Sequence, residues 1–146
     1  MIISHAQLSL LIAEAMNEGY VSGGVTGALA WYKKGIAANL EFNGVSSSDA
    51  TAYLGQASLD FSTTTDGRTK IATQEWIALF GQGFETWTEW RRTKTPVLAP
   101  AAEALISQVP SRLFYPTNEP SLNKANYDAA VSKISADELT SSLFWQ

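Results

Sequence analysis

With 146 residues, 45% of them hydrophobic, the chain has the length of one domain and enough apolar side chains to enclose a core. Only 16% are charged, the net charge is −4, and Lys and Arg are scattered, which excludes the basic surface of a non-specific nucleic-acid binder. Cys is absent, so the sequence offers no disulfide, thiolate metal site, Cys nucleophile or Cys for a lipid.

Ser4 and Gln7 form an S-x-x-Q capping box ahead of Leu8, Leu11, Ile12 and Ala15, which recur at helical spacing. With no basic lead and with Gln7, Glu14 and Glu18 in rhythm, this opening reads as an amphipathic helix and not as a signal peptide. Gly19 stops it. A glycine-rich connector follows, and Thr26 is expected to cap a second helix running to about Asn43, with Leu29, Tyr32, Ile36 and Leu40 on its apolar face. The two make an antiparallel hairpin that small residues such as Ala13, Ala28 and Ala37 allow to close. It resembles a tetratricopeptide-type repeat, although the connector is long for one. A lone hairpin cannot bury both faces, and no second copy is apparent. A short helix from Asp49 to about Gln56 completes a first segment, 1–57. The stretch Phe61 to Gly67, FSTTTDG, reads as a polar loop.

Segment 68–94 predicts one long aromatic helix from near Lys70 to near Thr93. Trp76, Phe80, Phe84, Trp87 and Arg91 are spaced as one face of it. Gly81 and Gly83 inside that helix would cost about 1 kcal/mol each relative to Ala, which suggests close approach of another backbone. All five prolines fall between Pro96 and Pro120, so segment 95–146 is expected to be largely irregular. Short helices are predicted at Ala101 to Ser107 and Asn123 to Lys133, with a further turn at Ser135 to Leu139. The apolar ending LFWQ is expected to tuck back onto the body. The fold class is all-α.

Chemistry is thin. Glu85 and Glu89, one turn apart, have a spacing compatible with a glycosidase pair, but a solvated helix face with Glu89 paired to Arg92 is the simpler reading. His5 is the only histidine and has no G-x-S-x-G elbow to serve. No EF-hand loop is present, and the connector SGGVTG lacks the ending of a phosphate loop. Arg91 is placed to lie over Trp87, and with Arg92 it ends a helix where positive charge is favoured. Aromatics at helical spacing read as core. Tyr53, Phe61, Phe114 and Tyr115, in or near loops, are the better platforms for a sugar, although packing is the favoured fate even for them.

Five segments in order resemble the SusD/RagB family, and its SusD-like subgroup most closely. IISHAQLSLLIAEAMNEGY and YKKGIAANLEFNGV look like two consecutive family helices. TQEWIALFGQGFETWTEWRRT looks like its hallmark segment, VPSRLFYPTNEPSLNKANYDAAV like the segment after it, and DELTSSLFWQ like its aromatic ending. The chain departs from the pattern at Lys94 and Thr95 and at Phe144 to Gln146. The resemblance implies the C-terminal portion of a longer, tetratricopeptide-like, surface-exposed outer-membrane lipoprotein whose signal peptide and lipidated Cys lie elsewhere. Such a protein binds an oligosaccharide or peptide and partners a TonB-dependent transporter, without enzymatic activity, cofactor, metal or nucleic acid. Trp76, Trp87, Glu89, Trp90, Arg91, Arg92, Arg112, Tyr115 and Asn118 are the structural signature carried over. The tryptophans and Arg91 and Arg92 are expected to fix the long helix against the proline-rich tail. No ligand-binding residue is carried over. The competing readings are a free-standing helical adaptor for a protein partner and a hydrolase using Glu85 and Glu89.

Overall fold

The computed structural model describes residues 3–134 and 136–143. These hold seven α-helices and no strand, so the chain is all-α. It forms two compact units, residues 1–96 and 97–146.

In the first unit, α1 (His5–Asn17) begins where Ser4 Oγ accepts the Gln7 N–H at 3.0 Å, the bond its capping pattern calls for. Helix α2 (Gly24–Phe42) starts before Thr26. Gly23 at φ 137° and Gly24 at φ 55° make the turn, so glycine conformations and not a hydroxyl cap set its start. The two helices pack along a seam of Leu10, Ala13, Ala28, Tyr32 and Ile36, to which Leu59, Phe61 and Ile71 add. A Cβ on Gly35 would stand 2.7 Å from Leu10 Cγ and 3.2 Å from the Ala6 carbonyl oxygen. The bare glycine therefore permits the close approach.

Helix α3 (Ser47–Leu54) is capped by Ser46 and followed by a 3-10 turn at Ala57–Leu59. Helix α4 (Thr64–Ala78) then starts inside the stretch read as loop. Thr63 Oγ1 accepts the Asp66 N–H at 3.3 Å, so the Thr-rich run is a helix cap as well as a turn.

The single long helix expected over 68–94 is two helices, α4 and α5 (Gly83–Thr93). Phe80 N–H donates to Ile77 O and Gln82 N–H to Leu79 O, tightening the end of α4, and Gly81 takes φ 85°. Thr86 Oγ1 donates to Leu79 O at 2.7 Å and Gln82 O at 2.9 Å, holding the corner from the α5 side. Gly81 thus turns the chain, Gly83 opens the next helix, and the aromatic stripe is broken. Phe80 is 91% and Phe84 84% exposed, whereas Phe61, a platform candidate in the sequence, is buried edge-on to Tyr32 with ring centroids 5.4 Å apart.

At Gly67 a Cβ would come within 2.9 Å of the Phe61 ring and closer still to Asn17 Oδ1. Asn17 Nδ2 also donates to Thr64 O at 2.9 Å, tying α1 to α4. Gly67→Ala should lower the unfolding free energy of this unit by about 1–3 kcal/mol, seen as a lower urea midpoint. An unchanged midpoint would mean that Asn17 swings aside at no cost.

The second unit contains α6 (Glu119–Leu122) and α7 (Lys124–Val131). The expected helix at Ala101 to Ser107 is only a turn, broken by Glu103 at φ 64°. Helix α6 falls in the proline-rich stretch expected to be irregular, with Pro120 in its first turn, where a missing N–H is tolerated. The predictions at Ser135 and at Phe144, Trp145 and Gln146 lie outside the described residues.

Candidate functional site

An open groove of about 600 Å³ lies in the first unit, where the start of α1, the end of α2 and the α4–α5 corner meet. Ser4 and His5 come from α1, Asn39, Glu41 and Phe42 from α2, and Phe80, Gly81 and Gln82 from the corner. The break at Gly81 is what brings Phe80 and Gln82 here, since a continuous helix would have carried them onward. Phe42 is 73% exposed and stands with Phe80 among groups that can hydrogen-bond. Asn43 Nδ2 donates to Asn39 O at 2.8 Å and to its Oδ1 at 3.1 Å, which fixes the Asn39 amide. Exposed aromatic faces beside amide, imidazole and carboxylate groups suit a ligand with both apolar faces and hydroxyl or amide edges. Of these residues, the sequence marked His5 as the only histidine, Ser4 as a helix cap, Phe80 as part of an aromatic stripe and Gly81 as a point of close approach. None of these signals pointed to a shared groove, because a helix ending at Ala78 was needed to expose Phe80.

The signature residues divide between the units. Trp76 and Trp87 are half-buried, and the Arg91 guanidinium lies 3.9 Å from the Trp87 ring centroid. Trp90 is buried, donating its indole N–H to Pro96 O at 3.0 Å. Arg92 clamps two carboxylates. It donates to both oxygens of Glu14 on α1 at 2.6 and 2.9 Å, and to both of Glu89 at 2.7 and 3.0 Å. Glu89 is thus engaged as a structural anion, while Glu85 is exposed, an arrangement unlike a pair of carboxyls flanking a scissile bond. Glu75 on α4 is buried beside this cluster, with the Arg92 guanidinium 3.8 Å away. Burial, reinforced by the charges of Glu89 and Glu14, pushes its carboxyl up to about 9. The sequence did hold a clue to it: Glu75 falls four residues from both Ile71 and Leu79, on the apolar stripe of α4.

In the second unit, Arg112 Nη1 donates to Asp137 Oδ1 at 2.6 Å, and that oxygen also accepts the Tyr115 N–H at 3.2 Å. The Tyr127 hydroxyl donates to Asp137 Oδ2, and the Tyr115 and Tyr127 rings meet edge to face at 5.7 Å. The Arg112 guanidinium holds the Asp137 carboxyl below the usual carboxylate range. Asn118 flanks α6, its carbonyl accepting from Ser121 and Leu122. Among the described residues no group of three or more His, Asp or Glu side chains is placed to hold a metal ion. No helix there is long and apolar enough to cross a membrane.

Residues 1–116 match the family model of SusD-like proteins described as starch-binding and associating with the outer membrane. No curated protein matches the chain. Among solved structures, a Bacteroidetes SusD-like protein is 28% identical over 96% of this chain and 29% of its own, with a TM-score of 0.84. A chitin-binding protein is 33% identical over 94% of this chain and 31% of its own, with a TM-score of 0.76. A SusD homologue from Bacteroides fragilis is 25% identical over 96% of this chain and 34% of its own, with a TM-score of 0.79. The chain therefore spans about a third of the length of these relatives.

Proposed function

The chain belongs to the SusD-like family, and from that premise we propose that it is the C-terminal part of a surface-exposed outer-membrane lipoprotein that binds a glycan or peptide nutrient and passes it to a TonB-dependent transporter. The observation that carries this reading is the family match over residues 1–116, and the family is one of binding proteins. The groove supports it locally, since Phe42 and Phe80 offer apolar faces to a sugar ring and Asn39, Gln82 and His5 offer partners to its hydroxyls. Starch fragments, suggested by the family description, and chitin fragments, suggested by the chitin-binding relative, are the first ligands to try.

Calorimetric titration of the 146-residue chain with maltooligosaccharides and chitooligosaccharides tests the reading. One series should bind, and Phe80→Ala should weaken it by roughly tenfold, about 1.4 kcal/mol. Binding unchanged in Phe80→Ala would move the ligand site away from the groove. The helical adaptor is favoured by one feature, the exposure of Leu8 and Leu11 on α1. Absence of binding to every glycan and peptide tried, with a protein captured instead, would make it the better reading.

A further inference from the structure

Three carboxyl groups gather around one guanidinium where α1, α4 and α5 meet. Glu14 and Glu89 receive all the hydrogen bonds that Arg92 makes there. Glu75 is left with 2% of its side chain exposed, and among the described residues neither of its oxygens accepts a hydrogen bond. A buried carboxylate without donors is costly, and two neighbouring carboxylates raise that cost. Glu75 Oε2 and Glu89 Oε1 approach the same nitrogen, Arg92 Nη2, at 3.8 and 2.7 Å, and two carboxyls so gathered can bond to each other only if one carries a proton. Glu89 is the one held by the guanidinium, so the proton belongs on Glu75.

We propose that Glu75 is a protonated acid that donates its hydrogen bond to the Glu89 carboxylate, making a proton the latch that closes α5 onto α4 and α1. The charged groups facing it are Glu14 from α1 and Glu89 and Arg92 from α5. Glu18, just past the end of α1, is committed to Arg68. Loss of the proton leaves three carboxylates on one cation, one of them buried, and α5 is pushed off. The latch is a property of the first unit and does not depend on which nutrient is bound.

The sign follows from linkage. Folding raises the proton affinity of Glu75, so its contribution is full in acid and declines as pH rises through the range up to about 9. The test is a carboxyl carbon-13 NMR titration of the whole 146-residue chain between pH 5 and 10, with urea midpoints over the same range. One glutamate δ-carbon should titrate near pH 9 and be missing in Glu75→Gln. The wild-type midpoint should fall from pH 5 to pH 9, and that of Glu75→Gln, whose amide can still donate to Glu89, should stay flat. If Glu75→Gln does not fold, Glu89→Gln serves, because removing the facing charge should move the late titration to lower pH. Glutamate carbons that all titrate below pH 6, or a late titration that survives in Glu75→Gln or does not move in Glu89→Gln, would overturn the proposal.

Discussion

Tyr32→Ala should cost the first unit about 3–5 kcal/mol, a large fraction of the stability a unit of this size can hold. Tyr32 is 1% exposed, sits at the centre of the α1–α2 seam and meets Phe61 edge to face. Removing the ring opens a cavity that helices on three sides are too rigid to fill, and it also strips Phe61 of its partner. Four of the five tryptophans, Trp31, Trp76, Trp87 and Trp90, lie in this unit, so tryptophan fluorescence in urea follows it. Tyr32→Phe, which keeps the ring, should retain most of the stability. A Tyr32→Ala variant within about 1 kcal/mol of wild type would show that the seam closes over the loss.

Arg112→Met should have the largest effect on the second unit. Among its described residues no apolar side chain is fully buried; the buried ones are Ser111 and Arg112. The Arg112–Asp137 pair, with Tyr115 and Tyr127 gathered on it, stands where a hydrophobic core would be. Methionine fills the space but leaves Asp137 without its cation, the costly way to break such a pair. Proteolytic cleavage within residues 97–143 should accelerate by roughly an order of magnitude or more, and the dispersed Tyr115 and Tyr127 ring resonances should collapse. Cleavage at the wild-type rate would mean that the helix pair α6–α7 holds the unit by itself. Acid should act in the same direction. Arg112 lowers the proton affinity of Asp137, so the contribution of that carboxylate is present above the ordinary carboxylate range and is lost as pH falls through the lowered value. The latch at Glu75 has the opposite sign. Acid favours the first unit through Glu75 and weakens the second through Asp137.

Residues whose role is set by near neighbours in the chain were legible in the sequence. The Ser4 cap, the two-helix hairpin, the Arg91–Trp87 stack and the Glu89–Arg92 pair all span four residues or fewer, or rest on a regular apolar repeat. What the sequence hid depends on one backbone angle or on distant contacts. Whether Gly81 is a tolerated helical residue or a left-handed corner cannot be told from spacing, because both leave the same residues at the same intervals. That one alternative decides whether Phe80 and Phe84 are covered or exposed. Phe61 took the packed fate that was favoured for it, but its partner could not be read, since loop residues next to a seam are buried by helices far along the chain. The groove and the Glu75 corner each draw on three helices, and no local pattern joins them.

The notch at Gly35 has a further consequence, for alignment. It admits the Leu10 side chain only because no Cβ stands there. If α2 slid by one helical turn against α1, Trp31 or Asn39 would arrive opposite Leu10, and neither leaves room for it. The other small residues of the seam, Ala13 and Ala28, would be displaced from each other by the same step. A hairpin built only on an apolar stripe would have several nearly equal ways to settle. This one has a keyhole at one position, so the ends of α1 and α2 that border the groove arrive at a single offset, and the spacing of His5 from Phe42 is set during folding, before any ligand is present.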